Sequence, residues 1–237
     1  MYHKIIGWVK KNKIKSLIYF FILFIGFEYF SLPGHSIERL VKVNPKFTAL
    51  MEQRENEKKD NGKKFKPVQN WVPINRISQH MIHAIIVAED GTFYEHGGVD
   101  WYEVQESIER NLEEGKAVRG ASTITQQLVK NLFLSTSKDP LRKLKELIIT
   151  LRMEKILKKQ RILEIYLNVI EWGDGVYGVE AASPKYFGKP ASMLERWEAA
   201  RLAAVVPSPL KHNPTEETRW INFRTNVVLK RMEARGW

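Results

Sequence analysis

An uncharged apolar run, Ser16 to Phe27, follows a lysine cluster made of Lys4, Lys10, Lys11, Lys13 and Lys15, and it divides the chain into two unequal parts. The run is shorter than the roughly twenty residues a helix needs to span a bilayer. Tyr29, Phe30 and Leu32 must therefore extend it, with Glu28 near the far interface. Lysines ahead of such a run hold the N-terminus on the cytoplasmic side. The expected organisation is a cytoplasmic basic tail over 1–15, a transmembrane signal anchor over 16–32, a stalk and entry segment over 33–70, and one domain over 71–237 on the outer face. A cleavable signal peptide is the rival reading, but Ser-Leu-Pro-Gly-His-Ser after the run offers no clear small-x-small cleavage site.

The 237 residues suit one domain with small appendages, long enough to bury a substantial core. A net charge of +11 asks for an anionic partner: nucleic acid, a lipid headgroup surface or a phosphorylated substrate. Export of the charged part argues against nucleic acid. With no cysteine, disulfides and thiolate metal sites are excluded.

Past the anchor, the charged run Glu52–Asp60 reads as a solvated face or loop with no chemistry. Helical spacing begins at Ile77 and ends at Glu89-Asp90, with Ile82, Ile85 and Ile86 on one side. A glycine-rich loop follows, then a helix over Tyr102–Leu112. Leu141, Leu144, Leu147, Ile148, Leu151, Ile156 and Leu157 form an apolar stripe on a helix otherwise rich in Lys and Arg. Further helical patterns cover Arg161–Val169 and Glu195–Val206. Strand signals are few, so the domain is expected to be mainly α with one short hairpin in its loops.

Residues 119–131 read Arg-Gly-Ala-Ser-Thr-Ile-Thr-Gln-Gln-Leu-Val-Lys-Asn, a dense set of donors some thirty residues after an acidic pair. Ser122 suits an N-cap, and its helix would carry Thr123, Gln127, Lys130 and Asn131 on one polar, cationic face. An anionic ligand is expected there. His96 is read as bonding a backbone group of the loop, with no second histidine at zinc-ligand spacing and no metal site. Ser135-Thr-Ser-Lys138 matches the Ser-x-x-Lys of penicillin-binding transpeptidases, but no Lys-Thr-Gly follows, and the match is read as chance.

Together, Glu89-Asp90-x-x-Phe93-x-x-His96-x-Gly98-x-Asp100 and Arg119-Gly-x-Ser-Thr-Ile-Thr-Gln-Gln-Leu-x-Lys-Asn131 resemble the peptidoglycan glycosyltransferase family, shared by monofunctional enzymes and class A penicillin-binding proteins. Arg142-Lys143-x-x-Glu146, Arg161-Ile-Leu-Glu164-x-Tyr-Leu-Asn168 and Gly175-x-Tyr-Gly178-x-Glu-Ala-Ala182 continue the resemblance, which covers about Trp71 to Pro214. Trp172 stands where Phe is common, and Val129 replaces a frequent Ala.

The resemblance implies a lysozyme-like helical glycosyltransferase domain in a bacterial cytoplasmic (inner) membrane, serving cell wall biogenesis and cell shape. It implies polymerisation of lipid II, with transfer from an undecaprenyl-diphosphate-linked chain to the 4-hydroxyl of an incoming lipid II and inversion at the anomeric carbon. Glu89 would be the general base, Asp90 its orienting neighbour and Glu146 a second catalytic acid. Lys130 and Arg142 would meet the diphosphate; Thr123, Gln127, Asn131, Ser122, Phe93 and His96 would line the substrate site. No cofactor is required, although magnesium or manganese at the diphosphate is compatible with the chemistry. Cell-wall synthesis and division proteins are conceivable partners. Two rivals stand beside this reading: a lysozyme-like hydrolase or lytic transglycosylase, and a non-catalytic, membrane-anchored wall-binding module using the basic helix.

Overall fold

The computed structural model describes residues 12–31, 34–115, 120–134 and 140–237. Most of the basic tail expected over 1–15, the last residue of the expected anchor at 32, the first of the expected stalk at 33, Arg119 and the Ser135–Lys138 match lie outside them. Helix α1 (Lys13–Ser31) starts ahead of the expected span, so Lys13 and Lys15 are part of the helix. Among the described residues no helix is long and apolar enough to cross a membrane, and the transmembrane anchor expected over 16–32 is not borne out.

Part of the segment expected as stalk and entry, 33–70, packs on the domain. After the short α2 (Gly34–Arg39), helix α3 (Ala49–Asp60) occupies the charged run and is capped by Thr48, whose hydroxyl accepts the Met51 N–H at 3.2 Å. Leu50 and Met51 are buried with Tyr177 in a satellite core. Arg54 donates from Nε and Nη2 to Glu171, and Lys58 pairs with Asp174 at 2.5 Å. Arg54 and Lys58 therefore tie two segments together, while Glu52, Glu55, Glu57, Lys59 and Asp60 face water as expected.

A small sheet lies beside that contact. Strand β1 (Val68–Gln69) runs parallel to β3 (Val176–Tyr177), which pairs antiparallel with β2 (Glu171–Gly173). The hairpin matches the expected one; β1 is added from a distant segment that carries no strand pattern of its own. Gly178 leaves the hairpin at φ +80°, where a Cβ would lie 2.5 Å from the Asn168 carbonyl oxygen, so only glycine fits.

The main core joins two groups of helices. Helix α4 (Gln79–Glu89) packs against α10 (Arg196–Val205) and α11 (Arg219–Glu233). The fully buried Ala199, Ala200, Ala203 and Ala204 let the backbones approach closely. Helix α6 (Ile124–Phe133) packs between α7 (Pro140–Ile156) and α8 (Lys159–Val169). Helix α5 (Trp101–Glu113) is capped by Asp100, and α9 (Val179–Phe187) covers the sheet.

Helix α8 clamps the entry segment. Arg161 Nε donates to the Leu40 carbonyl at 2.8 Å, Glu164 accepts the Ile74 N–H at 2.9 Å, and the Asn168 side chain bonds both the N–H and the C=O of Val72. The fourth motif thus serves the fold. Trp172 does the same, fully buried with its indole N–H on the Leu202 carbonyl at 3.1 Å.

The apolar stripe expected on α7 is rotated. Glu146, Ile149, Thr150, Met153 and, just past the helix end, Leu157 are buried, whereas Leu141, Leu151 and Ile156 are exposed. The helix turns its Glu146 face toward the core and carries those apolar side chains outward with the basic ones.

Candidate active site

Glu89 is the last residue of α4, and Asp90 caps it. The turn that follows is held from inside by Asp90. Its Oδ1 lies 2.9 Å from His96 Nε2, and its Oδ2 accepts the Ile124 N–H, the first of α6, at 3.0 Å. His96 Nδ1 accepts the Gly98 N–H at 3.1 Å, so Nε2 carries the proton and donates to Asp90. His96 therefore bonds a loop backbone group, as its position suggested.

The cap of α6 differs from the one expected. Thr123, not Ser122, is the N-cap: its hydroxyl accepts the Gln126 N–H at 3.2 Å and donates to the Gly98 carbonyl at 2.7 Å, and Gln126 closes a capping box. Thr123 is buried and committed to the fold. Ser122 is exposed and accepts from Lys143 Nζ at 3.3 Å. Asn131 is also buried. Phe93 is fully buried beneath Lys159, whose ammonium sits 4.4 Å from the ring centroid, and it has no surface to offer a substrate.

Helix α6 brings Gln127 and Lys130 to Glu89. Gln127 Nε2 donates to Glu89 Oε2 at 2.7 Å, while Glu89 Oε1 is sealed from solvent and has no partner. Burial raises the Glu89 pKa above the ordinary carboxylate range; the Gln127 bond, Arg224 and Lys130 oppose that rise, and Asp90 adds to it. This is the environment of a carboxylate whose affinity for a proton is raised above that of a free glutamate, as a general base requires.

The Lys130 ammonium makes no hydrogen bond or ion pair among the described residues, yet it lies within electrostatic reach of both Glu89 and Glu146. Burial lowers its pKa, Arg142 and Lys143 push it the same way, and the two glutamates resist. Glu146 is almost fully buried on α7, paired with Arg142 Nη1 at 2.7 Å and with Lys143 Nζ. The Arg142–Glu146 spacing is thus a part-buried link rather than a surface pair. Part-buried cations beside a part-buried carboxylate can receive a polyanion and stabilise charge that develops on it.

Three contributors are assembled only by the fold. Tyr166 on α8 is fully buried and donates to Gln127 Oε1 at 2.9 Å. Arg224 on α11 acts on Glu89 from beyond the stretch whose motifs stood out, and its Nε is buried without a partner. Glu154 accepts from Thr125 at 2.5 Å and Lys159 at 2.9 Å, and packs against Gly98, so it supports the loop from below. Tyr166 lay inside a recognised motif, but nothing local marked Arg224. Among the described residues no group of three His, Cys, Asp or Glu side chains is arranged to hold a metal ion.

The transglycosylase family model matches residues 57–233, from within α3 to the end of α11. The chain belongs to the transglycosylase family. This transglycosylase is similar to proteins named biosynthetic peptidoglycan transglycosylase. One from Nitrosospira multiformis is 48% identical over 191 residues, covering 81% of this chain and 83% of its own. Others are from Dechloromonas aromatica, 45% identical over 81% of this chain and 83% of its own, and Janthinobacterium sp., 44% identical over 82% and 84%. The family match includes α11, so the transglycosylase unit reaches past Pro214 and contains Arg224.

Proposed function

We propose that this enzyme builds peptidoglycan by polymerising lipid II. The observation that carries the reading is Glu89, with one oxygen held by Gln127 and the other buried and unpartnered, beside Lys130, which is in electrostatic reach of the Arg142–Glu146 pair. In this reading Glu89 Oε1 takes the proton from the 4-hydroxyl of the incoming disaccharide. The freed oxygen attacks the anomeric carbon of the donor strand from the face opposite the diphosphate. The carbon–oxygen bond to the diphosphate breaks, and its electron pair leaves on the diphosphate. Attack opposite the departing diphosphate gives inversion, and Lys130 and Arg142 meet the charge that leaves. Glu146 holds Arg142 and Lys143 in place. Asp90 orients the turn that carries the base.

A magnesium or manganese ion would have to draw its oxygens from the diphosphate, because Glu146 is already paired with two cations. No step depends on it. Ser122 and Asn131 are proposed to line the path of sugar and phosphate oxygens; Thr123 and His96 shape it through their backbone contacts. The sequence has no Lys-Thr-Gly, and the activity proposed is strand synthesis without cross-linking.

A substrate held on a polyprenyl chain requires the enzyme at the bacterial cytoplasmic membrane, with the domain on the outer face. Helix α1 exposes Ile14, Leu17, Ile18, Phe20, Phe21 and Leu23, an apolar surface suited to that attachment.

Purified protein and its Glu89→Gln variant, incubated with labelled lipid II, test the reading. Lysozyme-sensitive polymer from the wild type alone is expected. No polymer from either protein would favour a hydrolase or a wall-binding module.

A further inference from the structure

Gln127 is held at both ends of its amide. Nε2 reaches Glu89 Oε2 at 2.7 Å, and Oε1 accepts the Tyr166 hydroxyl at 2.9 Å. The two bonds join three helices: α4 through Glu89, α6 through Gln127 and α8 through Tyr166. Tyr166 is fully buried, and Gln127 Oε1 is the acceptor the structure gives its hydroxyl. Turning the amide over would strand that O–H and set a carbonyl oxygen against a carboxylate oxygen, two acceptors facing each other. The hydroxyl of Tyr166 thus adds to the Glu89 carboxylate in setting which end of Gln127 faces Glu89.

We propose that Tyr166 is the positioning residue of the general base: it fixes the Gln127 amide so that its N–H holds Glu89 Oε2 and leaves Oε1 as the oxygen that takes the proton. The proposal rests on the reading of Glu89 as base. Tyr166 touches neither substrate nor Glu89 in this scheme; it acts through Gln127. Burial and the nearby Glu89 and Asp90 carboxylates hold its own pKa far above the usual phenol range, so it remains a donor throughout the working pH. The charged groups acting on Glu89 are Arg224 from α11, Lys130 from α6 and Asp90 beside it, and Tyr166→Phe alters none of them.

Loss of the Tyr166 hydroxyl leaves the amide held only by Glu89, so its N–H grips Oε2 less firmly, which disfavours the carboxylate and moves its titration upward. The experiment titrates the Glu89 carboxyl by carbon-13 NMR, assigned against Glu89→Gln, in the full-length wild type, Tyr166→Phe, Gln127→Met and the double variant. The acid limb of lipid II polymerisation is followed in parallel. The expected result is a midpoint about one unit higher in Tyr166→Phe. That corresponds to roughly tenfold lower kcat/KM at a pH below both midpoints and convergence with wild type above them. Gln127→Met should raise the midpoint too, and adding Tyr166→Phe to it should move it no further. An unmoved midpoint, with kcat/KM lowered equally at every pH, would reduce Tyr166 to packing and overturn the proposal. So would a full additional shift in the double variant. Failure of the base reading would show separately, as polymer made by Glu89→Gln, and the NMR midpoints decide the positioning role in either case.

Discussion

Asp90 Oδ2 accepts the backbone N–H of Ile124 at 3.0 Å, so a side chain at the end of one helix satisfies the first amide of another that begins 34 residues later. Its second oxygen is taken by His96, whose Nε2 must donate because Nδ1 accepts from Gly98. Asp90→Asn cannot serve both partners, since an amide that accepts from Ile124 turns its own N–H₂ toward the His96 N–H. The expected loss is about 2 kcal/mol of stability, read from urea unfolding, with lower polymerisation as the Glu89 turn loosens.

Glu89 gives the pH dependence its sign. Burial raises its folded pKa above the unfolded value, so the folded state binds the extra proton, and stability falls as pH rises from the unfolded value through the folded one. Replacing the charge by Glu89→Gln should therefore stabilise the protein at pH 8 by about 1 kcal/mol per unit of upward shift. The gain should shrink as pH is lowered through the folded pKa, which a series of thermal melts would reveal. A gain that persists at low pH would show that desolvated charge is not its cause.

Lys130 titrates in the opposite sense. Burial and the cations of Arg142 and Lys143 lower its pKa, so it gives up its charge before an ordinary lysine would. Polymerisation should decline on an alkaline limb below the usual lysine range, and Lys130→Arg, which keeps the charge, should move that limb upward. Lys130→Met should cost about 10²–10³-fold in kcat at pH values where Lys130 is charged, the scale of losing one group that stabilises developing charge, and should converge with the wild type above the alkaline limb. Single-turnover kinetics with labelled lipid II would measure both.

The Arg54–Glu171 link ties α3 to the hairpin. Glu171 is almost fully buried and also accepts from the Tyr177 hydroxyl at 3.2 Å. Arg54→Met should destabilise the protein by about 3 kcal/mol, because it strands a buried carboxylate. The double variant Arg54→Met/Glu171→Met should recover much of that loss. Chemical denaturation of Arg54→Met, Glu171→Met and the double variant measures the coupling.

Local chemistry in the chain was enough to give the helices, the acidic pair at a helix–loop junction, the polar run after Gly120 and the single hairpin, since periodicity, caps and turn residues act over a few positions. The ordered motifs carried the family. They did not reveal which face of α7 turns inward: its leucines repeat at helical spacing, yet Glu146 is buried and Leu141, Leu151 and Ile156 are exposed, a choice made by what α6 presents to that helix. Nor could the charge pattern of Glu52–Asp60 reveal that Arg54 would find Glu171, 117 residues away. The setting of Glu89 belongs wholly to tertiary structure. Gln127, Tyr166 and Arg224 reach it from three other helices, and its shifted pKa follows from burial and charge that exist only once those helices pack. The sequence determined which groups are available for chemistry; packing decided which of them meet and which are used up holding the fold.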